Sequence, residues 1–235
     1  MQKLKTLFSA SLIASSLLAA LPAAAYDAGD IIVRVGAATV APNDDSDKVD
    51  VAGLALLDGV ELNSDTQLGI TGTYMINQNW GVELLAATPF QHDLKVEGVG
   101  IDAGSSKHLP PTLSFQYYPR GGQNGVQPYV GVGINYTVFF DEGIDGQLEG
   151  ALGAITQPVT GSTAPVKADL ELDSSWGLAM QAGFDYPINE SLSLNVAVWY
   201  IDIDTKAKIS TAVADVRFDV EIDPWVYMVG LAYKF

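Results

Sequence analysis

His92 and His108 are the only imidazole bases in a chain of 235 residues that has no cysteine. Nucleophilic catalysis at a histidine needs a hydroxyl or thiol beside the ring and a group that orients it from behind. Both lie in or beside a long connection, where regular strand spacing fixes no Ser or Asp near either ring, so the pair reads as a loop histidine and a strand-end histidine. Gly98-Val99-Gly100-Ile101-Asp102-Ala103 has the glycines of a dinucleotide fingerprint, but no helical pattern follows to receive a phosphate at its N-terminus. Asp44, Asp45, Asp47 and Asp50 lack the spacing and central glycine of a calcium loop and read as a solvated acidic segment, so no metal and no cofactor is expected. Asn135-Tyr136-Thr137 and Asn189-Glu190-Ser191 fit the glycosylation tripeptide but fall in a strand and a turn.

The more informative groups are charges and amides set inside apolar strands: Arg34, Glu83, Gln116, Asp185 and Lys234. A charge removed from water persists when it is paired and hydrogen-bonded, so these residues raise the question of which elements bring them together.

The final stretch, 225–235, shows the element type. Trp225, Tyr227, Val229, Leu231 and Tyr233 alternate with Val226, Met228, Gly230, Ala232 and Lys234, which is the period of a strand. Its aromatics stand at both ends with aliphatics between, as in a strand crossing a bilayer. Similar alternation occurs at 31–40, around Leu68 to Tyr74, at 80–88, around Leu113 to Tyr117, at 129–139, around Ala182 to Tyr186 and from Leu192 to Tyr200. These eight strands are joined by connections that alternate short and long. Asn77-Gln78-Asn79, Pro119-Arg120-Gly121-Gly122 and Pro187-Ile188-Asn189-Glu190 are short turns, whereas 43–65, 89–108, 141–173 and 204–223 are long. The expected fold is all-β: an eight-stranded antiparallel up-and-down transmembrane β-barrel with short periplasmic turns and long extracellular loops. A soluble lipocalin-type barrel would carry its apolar face inside; here most strand charges oppose the continuous apolar face.

Lys3 and Lys5, the apolar run 7–21 and Ala23-Ala24-Ala25 form a secretory leader, which divides the chain into residues 1–25, cleaved, and a barrel of 26–235. Loss of two lysines takes the net charge from −16 to −18, which excludes nucleic acid as a partner. The expected surroundings are outer-membrane lipid and lipopolysaccharide in a bacterial cell. With the amino terminus in the periplasm, Arg34, Glu83, Gln116, Asp185 and Lys234 converge at the periplasmic end as a polar plug. Above them the inward positions become apolar, with Leu85, Ala87, Trp199, Ile201 and, near the outer rim, Phe139.

Gly81-Val82-Glu83-Leu84-Leu85-Ala86-Ala87-Thr88-Pro89-Phe90, His108-Leu109-Pro110-Pro111-Thr112-Leu113, the run from Pro128 to Thr137, Ser175-Trp176-Gly177, Val198-Trp199-Tyr200-Ile201-Asp202-Ile203-Asp204-Thr205 and Asp223-Pro224-Trp225 resemble the patterns of the outer-membrane protein W (OmpW) family. The resemblance implies a narrow apolar channel, open to the outside, for passive uptake of small hydrophobic molecules. It also implies a constriction formed by Leu85 and Trp176, and recognition of the strand ending at Phe235 by the barrel-assembly machinery. Strand parity agrees for Leu85 and puts Trp176 outward. A plug below an apolar channel points to lateral release into the bilayer. A non-transporting structural or adhesive barrel, and a lipid-modifying enzyme, are the alternatives.

Overall fold

The computed structural model describes residues 25–43, 45–46, 49–51, 55–57, 60–96, 100–212 and 215–235. The expected leader lies outside them except for Ala25, as do Asp44 and Asp47 of the acidic segment. Eight strands make the barrel: β1 (Ile31–Ala41), β2 (Asp65–Asn77), β3 (Trp80–Ala87), β4 (Thr112–Tyr117), β5 (Gln127–Ile144), β6 (Ser175–Pro187), β7 (Leu192–Ile201) and β8 (Trp225–Lys234). Their order is β4-β3-β2-β1-β8-β7-β6-β5, every neighbour antiparallel, and β4 pairs with β5 to close the ring. In the first-to-last seam Arg34 lies opposite Ala232 and Ile32 opposite Lys234.

The period of two decides which residues meet lipid. Leu68, Ile70, Leu84, Leu113, Val132, Ile134, Leu178 and Val229 all point outward and are exposed. So broad an apolar surface would be an aggregation hazard in water and is what a bilayer requires. Aromatics bracket it. Trp80 stacks on Phe115 at 4.8 Å near the lower edge, and Tyr136 with Trp176 (4.5 Å) and Tyr200 with Trp225 (5.3 Å) mark the upper edge.

Above the upper aromatics the long connections are not irregular. Phe90–Val96 and Asp102–Leu109 form a hairpin, and the second of these strands pairs with the upper half of β5. Ala168–Leu172, Asp204–Thr211, Asp215–Glu221 and Asp45–Ser46 form a second sheet. A helix, α1 (Gly146–Thr160), is started by Asp145, whose carboxylate accepts from the Gln147 amide at 2.8 Å, and ends at Gly161 with φ 72°. These elements bury their apolar side and expose their charges, the reverse of the barrel wall, because this part stands in water.

The wall has an interruption. Pairing of β3 with β4 ends at Leu85 and Thr112 and resumes only at Phe90 and His108. Along that seam residues 86–89 and 109–111 have no partner across it, and three of them are Pro89, Pro110 and Pro111, of which none has an N–H to donate.

Gly36 and Gly230 face each other across the β1–β8 seam, where an added Cβ would fall 2.3 Å from the Val229 carbonyl oxygen and 2.2 Å from that of Val35. Gly36→Val is therefore expected to cost about 1–3 kcal/mol or more by overpacking. Gly72→Val, which projects into open space, should leave stability unchanged. Urea midpoints of the refolded barrels would distinguish the two.

Candidate functional site

The site is built from the floor upward. Arg34 on β1 is fully buried and reaches three other strands. Its Nε and Nη2 donate to the two oxygens of Asp185 on β6 at 3.1 and 2.7 Å. Its Nη1 donates to Glu83 on β3 at 3.0 Å and to Thr73 on β2 at 2.7 Å. Its Nη2 also donates to the Tyr118 hydroxyl at 3.1 Å, and the guanidinium lies 4.9 Å from the centre of the Tyr129 ring. Asp185 further accepts from Tyr26 (2.7 Å) and Asn195 (2.8 Å), while Gln116 accepts from Tyr118 (2.7 Å) and donates to Gln181 (3.1 Å). The network spans the lumen and leaves its members with little or no exposure to water, a sealed floor rather than an aqueous pore.

Of the five residues expected in the plug, Arg34, Glu83, Gln116 and Asp185 meet here. Lys234 does not. It lies opposite Ile32, a step below Arg34, and its Nζ donates to the Ala25 carbonyl at 2.8 Å, with Asp30 at 3.9 Å. Sequence reasoning missed Tyr26, Thr73, Tyr118, Tyr129, Gln181 and Asn195. Thr73 lies opposite Glu83, Asn195 opposite Asp185, and Gln181 four residues before Asp185 on the same face, so inward parity was the available signal.

Over the floor comes a dry layer. Leu85, Trp199, Ile201, Ala179, Val226 and Met228 belong to one buried apolar cluster, against which Ala87 packs half-buried. Trp176 is not part of it. Its side chain is 70% exposed on the outer wall beside Tyr136. The β5–β6 register runs without a shift from Ser175 to Asp185, so no bulge turns Trp176 inward, and a lumenal constriction cannot include it.

Above the dry layer, inside the extracellular elements, is a cavity of about 80 Å³. Leu94, Val96, Leu148, Leu152, Leu170, Val216, Phe218 and Val220 give it an apolar wall, and Phe139, His92 and His108 border it toward the barrel. Among the expected channel residues only Phe139 touches this cavity. Leu85, Trp199 and Ile201 lie below it. The rest of the lining falls in segments that read as loops, although Val216-x-Phe218-x-Val220-x-Ile222 alternates with Arg217, Asp219 and Glu221 and carried a strand signal. Helix α1 was hidden by Gly146, Gly150, Gly153 and Pro158, all unfavourable within a helix.

The histidine rings stack face to face at 4.9 Å and 17°. The His92 Nδ1 donates to the Asn63 carbonyl. Burial lowers the His108 imidazole from 6.5 to about 3, with His92 adding to the effect and Asp65 opposing it. Of the glycine run, Gly98 and Val99 lie outside the described residues, and the part from Gly100 leads into the strand Asp102–Leu109 and not into a helix. Asp202, Asp204 and Asp223 bring carboxylate oxygens within 4.8 Å of one another at the outer rim, where Asp223 already accepts from the Tyr200 hydroxyl and the Ile203 amide.

Comparison with known proteins agrees with this architecture. The sequence profile described as the OmpW family matches residues 27–235. The chain is 45% identical to outer membrane protein W of Vibrio cholerae over 93% of this chain and 94% of that protein. It is 41% identical to outer membrane protein W of Escherichia coli over 99% and 100%. The crystal structure of the outer membrane protein OprG from Pseudomonas aeruginosa superposes with a TM-score of 0.77 at 46% identity, covering 90% of this chain and 98% of that one.

Two measurements check the geometry. Arg34→Leu strands Glu83 and Asp185 as buried carboxylates and should lower stability by about 3–5 kcal/mol, while adding Glu83→Leu and Asp185→Leu should recover much of it, read as urea midpoints in lipid. For His108 the folded value lies below the unfolded 6.5, so the unfolded chain takes the proton first. The contribution of the neutral ring is complete above that value and is lost as pH falls toward 3, at up to ~1.4 kcal/mol per pH unit. Amides of Asp102–Leu109 should therefore exchange faster at pH near ~5 than at ~7 after correction for intrinsic rates, and His108→Phe should abolish the difference.

Proposed function

This chain belongs to the OmpW family of outer-membrane barrels, and on that premise we propose that it takes up small apolar molecules passively from outside the cell and releases them sideways into the bilayer. The observation that carries this reading is the apolar cavity above a sealed polar floor. An apolar solute gains by leaving water for such a cavity, and the Arg34 network offers it no favourable way down, since crossing would break charge-assisted hydrogen bonds in a dry interior.

The interruption between β3 and β4 supplies the alternative exit. Its upper lip is the Phe90–His108 pair, and His108 also borders the cavity; its lower lip is the Leu85–Thr112 pair. Prolines along the seam keep the two edges from zipping together. In this reading the protein is a conduit and not an enzyme. Its lipid partners, lipopolysaccharide included, contact the apolar belt, and the strand ending at Phe235 is what the assembly machinery engages.

The close packing of Leu85, Trp199 and Ile201 favours a second reading, a barrel that serves only as a scaffold. Flux of an apolar fluorescent probe into proteoliposomes separates the two. The wild-type barrel should pass the probe faster than empty vesicles. Leu85→Lys, which puts a charge on the lower lip, should reduce flux strongly. Pro110→Ala with Pro111→Ala, which restores two backbone donors along the seam, should slow release while binding in the cavity is retained. Flux unchanged by either variant would remove the lateral route, and wild-type flux no higher than that of empty vesicles would favour the scaffold.

A further inference from the structure

The cavity has an almost wholly apolar wall and yet is bordered by two imidazoles. Aliphatic side chains would seal the same space without burying ring nitrogens, so the histidines are costly where they stand. His108 is held firmly: stacked on His92, tilted 5.6 Å from Phe90 and set edge-on 5.9 Å from Phe139. It is only 3% exposed, and its Nε2 has no hydrogen-bond partner among the described residues. A buried polar atom on a packed side chain that borders an apolar cavity is what a site needs in order to orient a ligand through one polar group.

We propose that the cavity is selective for small amphiphiles that carry a single hydroxyl, an alcohol or a phenol, with the apolar body against Leu94, Leu152 and Phe218 and the hydroxyl on His108 Nε2. This rests on the uptake reading and names its substrate class. A hydroxyl both donates and accepts, so it satisfies a neutral imidazole in either tautomer. An alkane leaves the nitrogen bare. A carboxylate would require an imidazolium to match it, and burial holds this ring neutral. An ammonium would need a facing carboxylate, but Asp65, the acid that His108 senses, is engaged by the Gln67 side chain and the Gln91 amide.

The test compares two isosteres, cyclohexanol and methylcyclohexane, binding to the full barrel in lipid nanodiscs with nitrogen-15-labelled histidine. Cyclohexanol should move the His108 Nε2 resonance and methylcyclohexane should not. His108→Phe should keep methylcyclohexane binding and lower the cyclohexanol-to-methylcyclohexane affinity ratio about tenfold, the size of one hydrogen bond to a buried group. His108→Gln, which returns a polar group to the same wall, should recover part of that ratio and guards against a folding defect in the first variant. Cyclohexanol that binds without moving the resonance, or a ratio unchanged in both variants, overturns the hydroxyl preference and leaves apolar uptake standing. Failure of both isosteres to bind the wild-type barrel overturns the uptake reading as well.

Discussion

One guanidinium organises the interior of this barrel. Arg34 is bound to Asp185, Glu83, Thr73 and Tyr118, which stand on or beside four different strands, so β1 cannot shift against its surroundings without leaving charges unpaired in a dry interior. A one-residue slip of β1 would also turn Arg34 toward lipid. The ion network thus fixes the register that the apolar alternation only favours. It also divides the lumen, with the dry layer and the apolar cavity on its extracellular side.

Polarity then changes twice along the barrel axis. Within the bilayer the wall is apolar outside and, at its base, polar inside. Beyond the Tyr136–Trp176 and Tyr200–Trp225 pairs the outer surface meets water, the strands turn charged faces outward, and the apolar residues collect around the cavity. The same chain therefore follows the rule of a membrane barrel below and of a soluble sandwich above, and the cavity exists because of the second rule.

The eight strands, the closing order and most of the floor were legible in the sequence, since a period of two with lipid outside leaves little freedom. Parity alone put Trp176 on the outer wall, and the structure agrees with parity against the expectation taken from family resemblance. What was not legible came from segments where the inside-outside rule inverts. Read with the membrane rule, residues 204–223 look mixed; read as strands in water, Val216, Phe218 and Val220 form a clean inner face. Lys234 was misjudged for a different reason: strand level can be counted from sequence, but the reach of a long side chain toward Ala25 and Asp30 depends on how the chain enters the barrel.

The prolines beside the wall interruption have a consequence for how the protein lives among its neighbours. An unpaired stretch of strand is normally adhesive, because its free donors and acceptors recruit a strand from another chain. Here Pro110 and Pro111 present carbonyls and no N–H groups, and the Pro111 carbonyl is already taken by the Tyr136 amide and the Asn135 side chain. On the Pro110–Pro111 side the interruption therefore offers a neighbouring strand no donors to pair with. In a crowded membrane of barrels that side of the seam can remain unpaired without inviting fusion of sheets between molecules.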